Sequence, residues 1–272
     1  GLDPLSPSAE IANQLLKEKK QYKSEVKEFT DEQIKKTIND FAYSTELSLK
    51  AGFDGIEIHG ANNYLLQQFY SPYTNRRTDE WGVSDEKRMN FSLKVIDACC
   101  KVREKYNRPD FIIGYRLSPE EPFNPGLTMD ETLKLIKVLV TKPIQYIHIS
   151  QWNFFKSARR GKDAGEERLK IIHKETKGKV ALIGCGGLRS ENDLNKALDT
   201  GFSEFIAVGG ASMINKDLGK LLKENKGNLL ELEIDPEHRE KYDMPDNLWI
   251  LSIQGIDYYP PVKGKNTKRL DI

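Results

Sequence analysis

The sequence predicts an α/β fold in which helices cover both faces of a parallel sheet. Short apolar runs alternate with amphipathic helical segments along most of the 272 residues, which is the pattern of repeated strand–helix units. The apolar runs are continuous rather than alternating with polar residues, as expected for strands buried on both faces. An open doubly wound sheet and part of a (β/α)8 barrel both fit these two observations, and the pattern alone does not separate them.

Capping residues and glycines mark where the predicted helices begin and end. The first helix begins with a capping box of Thr30 and Gln33 and ends at Gly52. Later helix starts are predicted at Ser84, at Thr128 with Glu131, and at Ser190, and further helices over 167–176 and 215–225. The five predicted strands are 53–59, 111–117, 146–150, 180–185 and 205–208. From residue 231 onward the chain is expected to be irregular and to pack on the rest.

The charge balance argues against a nucleic-acid or membrane partner. Charged residues make up 31% of the chain, but the formal net charge is only +1, so no strong electrostatic field is expected. No run of about 18 apolar residues predicts a membrane span. Cys99, Cys100 and Cys185 fit no metal-ligand spacing and leave one cysteine unpaired in any disulfide scheme. These features, with no secretory signal at the amino end, predict a cytoplasmic protein.

The segment after the first predicted strand carries the strongest chemical signal. His59, Asn62 and Tyr64 lie within one turn of chain just past that strand, where barrel enzymes keep their catalytic residues. Histidine and asparagine both donate hydrogen bonds, and two donors on one oxygen polarise a carbonyl or hold an oxyanion. Tyrosine is a plausible proton donor. A lone histidine at a strand end is more often structural, but Asn62 and Tyr64 favour the catalytic interpretation.

Other candidates at the strand ends give weaker signals. Arg116 lies in an apolar strand, where its charge is costly unless it has a partner. Two glycine clusters follow the last two strands and comprise Gly184, Gly186, Gly187, Gly209 and Gly210. Their amides could approach an anion such as phosphate, although glycine pairs often mark only tight turns.

Aromatic residues and the remaining histidines give no decisive signal. Trp152, Phe154 and Phe155 fit an aromatic wall over the site and local packing equally well. His148 is expected to be a packed histidine in the core or the lumen of a barrel. No histidines or cysteines stand at ligand spacing, so no metal site is predicted.

The segment from His59 onward resembles the old yellow enzyme family of flavin-dependent reductases. Members of that family carry a His-x-x-Asn or His-x-x-His pair followed by Gly-Tyr-Leu, and then a phrase like QFxSPxxNxRxDxYGGSxENRxRF. The matching positions here are His59, Asn62, Tyr64, Leu65, Gln68, Phe69, Ser71, Pro72, Asn75, Arg77, Asp79, Gly82, Ser84, Glu86, Arg88 and Phe91. So many matches over about thirty residues are rare by chance. The departures, none of which removes a catalytic group, are Asn63, Trp81, Val83, Lys87 and Asn90. Asn63 replaces a glycine and is expected to shift the backbone of the turn.

This resemblance implies a (β/α)8 TIM barrel, of which the chain supplies about strands 4 to 8. The barrel portion would be residues 1–230, with residues 231–272 as its tail. The resemblance also implies FMN as cofactor, NADH or NADPH as reductant, and an α,β-unsaturated carbonyl compound or related electrophile as small-molecule substrate. His59 and Asn62 would bind the carbonyl oxygen, Tyr64 would protonate the α-carbon, and Arg116 would stabilise the reduced flavin.

The family places the flavin phosphate at the loops that contain Gly186, Gly187, Gly209 and Gly210 here. Gly210 stands where members commonly have arginine, so a charged phosphate contact is expected to be missing or replaced. Arg189 is either that replacement or a solvated residue at a helix start. Two other functions remain open, a flavin-free phosphate-binding lyase or isomerase and a non-catalytic barrel remnant that acts as a binding module. The physiological substrate, the choice of nicotinamide cofactor and a homo-oligomeric state also remain open.

Overall fold

A computed structural model of the protein describes residues 4–10, 12–14, 25–256 and 258–266. Residues 1–3, 11 and 15–24 of the predicted barrel portion, and 257 and 267–272 of the predicted tail, lie outside the described residues. The chain divides into two compact units. The first contains the described residues up to Ser150 together with Ser157–Leu182, and the second contains Gln151–Lys156 and the described residues from Ile183 onward.

Strands and helices alternate along the described chain, as the sequence predicts. The strands are β1 (Leu5–Ser6), β2 (Lys27–Glu28), β3 (Gly55–Gly60), β4 (Ile112–Leu117), β5 (Tyr146–Ile149), β6 (Ala181–Cys185) and β7 (Phe205–Ala207). The α-helices are α1 (Asp31–Lys50), α2 (Leu65–Tyr70), α3 (Asp85–Lys105), α4 (Met129–Leu139), α5 (Arg168–Thr176), α6 (Glu191–Asp199), α7 (Gly210–Ile214), α8 (Leu218–Lys223) and α9 (Asp246–Ser252). Two 3₁₀ turns cover Gly227–Leu229 and Arg239–Lys241. Every described helix is too short or too polar to cross a membrane.

Side-chain caps confirm the predicted helix starts. At the start of α1, the Gln33 N–H donates to Thr30 Oγ1 at 3.2 Å, and Gln33 Oε1 accepts from the Thr30 N–H at 2.9 Å. The same reciprocal arrangement begins α4 at Thr128 and α6 at Ser190, and Ser84 caps α3. Each cap pairs an amide that the first helical turn would leave unpaired, which stabilises a helix by about 1 kcal/mol. These boundaries are therefore set by local sequence.

Strands β3, β4 and β5 of the first unit are parallel neighbours in that order. The side chains on one face of these strands are buried and include Ile58, Ile113, Tyr115, Leu117, Ile147 and Ile149. Tyr115 marks the covered face, because its hydroxyl donates to Ser92 Oγ of α3 at 3.0 Å. The sheet continues in chain order through β6 and β7. The prediction of a parallel sheet with helical connections is confirmed.

Part of the motif that carries the family resemblance serves folding. The side-chain amide of Asn75 donates to the carbonyls of Phe69 and Trp81 at 2.6 and 2.7 Å. Arg77 is almost fully buried and pairs with Asp79 at 2.5 Å. These bonds fix the path of the chain between α2 and α3, so the residue types of this stretch are explained by structure rather than by chemistry.

The helix predicted over 215–225 is wrong in its boundaries. The chain forms α7 and α8 instead, and Asn215 between them leaves the helical conformation with φ −116° and ψ 94°. Its side-chain amide donates to Glu231 O at 2.9 Å, and its Oδ1 accepts from the Glu231 N–H at 2.9 Å. This contact between residues far apart in sequence breaks the helical pattern.

The chain after residue 230 is more ordered than expected, since it contains α9 and packs a small core within the second unit. The buried members of this core are Ile214, Ile234, Tyr242, Trp249 and Val262. The helix has only seven residues, which is too short for its period to be read from sequence. The boundary between a barrel portion and a tail at residue 230 stays a prediction.

Candidate active site

Polar side chains occupy alternate positions on β3, β4 and β5. The strand register aligns two rows, Glu57–Gly114–Tyr146 and His59–Arg116–His148. Residues two apart on a strand point to the same side, so both rows share one face of the sheet, opposite to the face that packs on α3. The parallel strands thus bring several ionisable groups together in the first unit.

Glu57 is the negative centre of the first row. Its Oε2 lies 2.9 Å from Nδ1 of His148. Gly114 leaves room for the Tyr146 ring, because a Cβ at this position would lie 2.0 Å from that ring. Burial raises the pKa of Glu57, but the hydrogen bond to His148 and the charge of Arg116 bring it below its ordinary value. Burial and the Glu57 carboxylate raise the pKa of Tyr146 to about 12.

The surroundings of His59 favour its neutral form. Burial and then the positive charge of Arg116 lower the pKa of His59, while Glu57 opposes the shift. A neutral imidazole donates one hydrogen bond without carrying charge. Arg116 itself has a buried Nε with no hydrogen-bond partner among the described residues.

The turn after β3 places Asn62 and Tyr64 beside His59. Asn62 and Asn63 both have φ of 59°, a left-handed conformation that asparagine tolerates better than most residues. Asn63 exchanges two hydrogen bonds with the Gln67 side chain, at 3.0 and 2.9 Å, so it occupies the usual glycine position in a well-bonded turn. The His59 and Tyr64 ring centroids are 5.4 Å apart, and Tyr64 is 60% exposed. The structure therefore brings the His59 and Tyr64 rings together, and Asn62 lies on the turn between them.

Two serines connect Asn62 to Arg116. Ser150 Oγ accepts from Arg116 Nη2 at 2.9 Å and donates to Asn62 Oδ1 at 2.7 Å. Ser118 Oγ accepts from the Asn62 N–H at 2.9 Å and donates to Asn62 Oδ1 at 3.5 Å. Neither serine was predicted from the sequence. The sequence signal that could have revealed them is the recurrence of polar residues at every second position along and just after β4 and β5.

In the second unit, one glycine loop follows β6. Gly186 and Gly187 have φ of 127° and 70°, values that favour glycine. A Cβ at Gly186 would also lie 2.7 Å from both Gln151 O and Asn153 N. The loop therefore depends on glycine for its conformation and for its close approach to the segment 151–153.

A second glycine loop follows β7, which is paired with β6 in the same unit. A Cβ at Gly209 would have no described atom within 4 Å, and at Gly210 it would meet Pro260 at 3.8 Å. Arg189 is partly buried, and its Nη2 is buried without a hydrogen-bond partner among the described residues. Part of the Arg189 side chain is therefore shielded from solvent, and its role as the replacement arginine stays a prediction.

Of the three aromatic residues after β5, one is buried and two are partly exposed. Phe154 is buried and its N–H donates to Gly186 O at 2.9 Å, so it is a packing residue. Trp152 and Phe155 are 37% and 38% exposed. Trp152 meets Tyr258 edge-on, with ring centroids 6.4 Å apart. Among the described residues, no group of three His, Cys, Asp or Glu side chains is arranged to hold a metal.

The parallel strands, the polar residues at their carboxyl ends and the glycine loops after β6 and β7 define a protein of the (β/α)-barrel class. Within that class, the chain belongs to the NADH:flavin oxidoreductase / NADH oxidase family, whose model matches residues 3–228. The family predicted from the motif after His59 is confirmed.

Named relatives agree with this family. The chain is 40% identical over 228 residues to the probable NADH-dependent flavin oxidoreductase YqiG of Bacillus subtilis (strain 168), covering 83% of this chain and 61% of that protein. It is 39% identical over 190 residues to the NADH:acrylate oxidoreductase of Vibrio harveyi, covering 69% of this chain and 19% of that protein. The chain thus spans less than two thirds of each relative.

A solved structure confirms the predicted fold. The chain is similar to Old Yellow Enzyme from Pichia sp. AKU4542, with a TM-score of 0.67 and 24% identity. The match covers 100% of this chain and 66% of that chain. The (β/α)8-barrel prediction is confirmed, with five parallel strands carried by this chain.

Proposed function

We propose that the protein is an FMN-dependent oxidoreductase that passes hydride from NADH or NADPH to an activated alkene. The observation that carries the proposal is the turn after β3. There His59 and Asn62 offer uncharged hydrogen-bond donors, and the exposed Tyr64 has its ring centroid 5.4 Å from that of His59. Reduction of an α,β-unsaturated carbonyl compound needs donors at the carbonyl oxygen and a proton at the α-carbon.

The residues present fit FMN by the chemistry of their donors. A flavin ring gains negative charge on reduction, and the buried Nε of Arg116 is a charged donor with no partner among the described residues. The phosphate of FMN is an anion that backbone amides and arginine bind well. We therefore propose that Arg116 binds the flavin ring and that the loops containing Gly186, Gly187, Gly209 and Gly210 bind the phosphate. Arg189 would supply the charged contact that an arginine makes in family members at the position of Gly210.

When bound, FMN would supply the hydride transfer, from the nicotinamide cofactor and then to the β-carbon of the alkene. Neutral His59 and the amide of Asn62 would donate to the carbonyl oxygen and draw electron density from the double bond. Tyr64 would give its hydroxyl proton to the α-carbon. Because Tyr64 is 60% exposed, it can regain that proton from water.

The substrate class follows from the donor set at this turn. Two uncharged donors suit a carbonyl or carboxylate oxygen conjugated to the double bond. The name of the Vibrio harveyi relative includes acrylate, which is such a compound, although the match covers only 19% of that protein. Cys99, Cys100 and Cys185 are not joined by disulfides in the described part of the chain, which favours a reducing, cytoplasmic location.

The role of Tyr64 is tested by measuring two reactions separately, the reduction of the protein by NADH and its reoxidation by the substrate. In Tyr64→Phe, reoxidation of the reduced protein by an enone should slow by about 10²- to 10⁴-fold, the usual contribution of a positioned proton donor. Anaerobic reduction by NADH should change little, since it requires no proton from tyrosine. The matched control is Tyr43→Phe on α1, because Tyr43 is 61% exposed and lies outside the site. Equal losses in both half-reactions would refute the proton-donor role.

A further inference from the structure

The side chain of Asn62 binds a substrate oxygen only if its NH₂ group faces the substrate. The two ends of a side-chain amide have nearly the same shape, so neighbouring hydrogen bonds decide which end faces which way. Around Asn62 these neighbours are Ser118 and Ser150. Asn62 itself is exposed, so no tight packing fixes its orientation.

Arg116 sets the direction of one hydrogen-bond chain. A guanidinium has donors and no acceptor, so Ser150 Oγ must accept in its 2.9 Å contact with Arg116 Nη2. The hydroxyl hydrogen of Ser150 is then available to the Asn62 side chain, 2.7 Å away. Asn62 receives that hydrogen through Oδ1. The reversed amide would leave the Ser150 hydrogen without an acceptor among the described residues.

Ser118 acts in the same direction through a weaker contact. Its Oγ accepts from the backbone N–H of Asn62 at 2.9 Å, which leaves its hydrogen free for Asn62 Oδ1 at 3.5 Å. Both serines therefore present hydrogens to one oxygen. The Nδ2 group of Asn62 points away from them and makes no hydrogen bond to any described residue.

We propose that Ser150, assisted by Ser118, is a positioning residue that holds the amide of Asn62 with its hydrogens toward the substrate oxygen. This inference rests on the proposed function in one respect, the identity of the group that Asn62 binds. The orientation of the amide is independent of flavin and of turnover. Arg116 is the source of the orientation, since its charge makes Ser150 an acceptor on one side and a donor on the other.

Nuclear magnetic resonance of the side-chain amide tests the orientation directly. The Asn62 resonances are assigned by their absence in Asn62→Asp. Ser150→Ala should shift the ¹³Cγ resonance of Asn62, because Oδ1 loses its short hydrogen bond, whereas Ser150→Thr keeps a hydroxyl and should leave the resonance in place. An unchanged ¹³Cγ resonance in Ser150→Ala overturns the proposal, whatever the activity of the protein.

Binding of 4-nitrophenolate to the flavin-loaded protein tests whether the orientation of the Asn62 amide strengthens the binding of an oxyanion. The absorption of the probe reports its Kd. Ser150→Ala should weaken binding about tenfold, the effect of one lost hydrogen bond, and Ser150→Thr should remain within about twofold. In an Asn62→Ala background, Ser150→Ala should cause no further loss, because Ser150 acts through Asn62. Additive losses would overturn the positioning role. Failure of the unmutated protein to bind the probe, with the ¹³Cγ shift present, would instead refute the substrate-binding role of Asn62.

Discussion

Replacement of Gly186 by alanine tests whether the loop after β6 depends on close backbone approach. Gly186 has φ of 127°, and an added Cβ would lie 2.7 Å from both Gln151 O and Asn153 N. Real Cβ contacts are essentially never shorter than 3.0 Å. The segment 151–153 must therefore move, which strains the 2.9 Å hydrogen bond from the Phe154 N–H to Gly186 O.

The expected loss of stability is the sum of a conformational and a steric contribution. An L-residue at positive φ costs about 1 kcal/mol, and forced overpacking adds about 1–3 kcal/mol. Gly186→Ala should therefore lower the free energy of unfolding by about 2–4 kcal/mol. A loss of this size would be a large fraction of the stability of an ordinary domain.

Alanine substitutions at two other glycines of the second unit separate the conformational contribution from the steric one. Gly201 has φ of 64° and no described atom within 4 Å of an added Cβ, so Gly201→Ala should lose only about 1 kcal/mol. Gly219 lies within α8 with open space around it, so Gly219→Ala should gain about 0.5–1 kcal/mol. Urea unfolding of the three variants and the unmutated protein measures these differences. A loss in Gly186→Ala equal to that in Gly201→Ala would refute the steric reasoning.

Two further predictions concern the site. Because burial and the charge of Arg116 lower the pKa of His59, its imidazole should titrate below 6.5 by nuclear magnetic resonance, with the midpoint moving upward in Arg116→Gln. A midpoint at or above 6.5 would contradict the lowering of the His59 pKa by burial and Arg116. In Arg189→Gln, the preference for FMN over riboflavin should fall about 10- to 100-fold, since a charge-assisted hydrogen bond contributes about 1.5–3 kcal/mol. Gly210→Arg in that background should restore the preference, and equal losses for both flavins would contradict the phosphate assignment.

Helix starts and the order of strands were predictable because their signals are local. Each predicted helix start has a side chain that bonds to an amide within the next three residues, at Thr30, Ser84, Thr128 and Ser190. A window of four residues is therefore enough to predict a helix start. The break at Asn215 was not predictable in this way. It depends on hydrogen bonds to Glu231, sixteen residues further along the chain, and only the folded second unit brings the two together.

The same distinction explains what the sequence revealed of the site. His59, Asn62 and Tyr64 are close in sequence, so their convergence on one turn was predictable. Ser150 lies 88 residues from Asn62, and its role depends on the register of β3, β4 and β5. Serine also has no strong chemical signature of its own. The partners of a catalytic group are therefore harder to predict than the group itself.

The visible absorption spectrum of the purified protein, followed by release of its chromophore, tests most directly whether the chain holds a redox-active flavin. We expect a flavin spectrum, release of FMN on denaturation, bleaching by NADH without oxygen, and recovery of the colour on addition of an α,β-unsaturated ketone. A protein that takes up no flavin when offered excess FMN would contradict the assignments of Arg116 and the glycine loops. A flavin that is bleached by NADH but not reoxidised by the ketone would contradict the roles of His59, Asn62 and Tyr64.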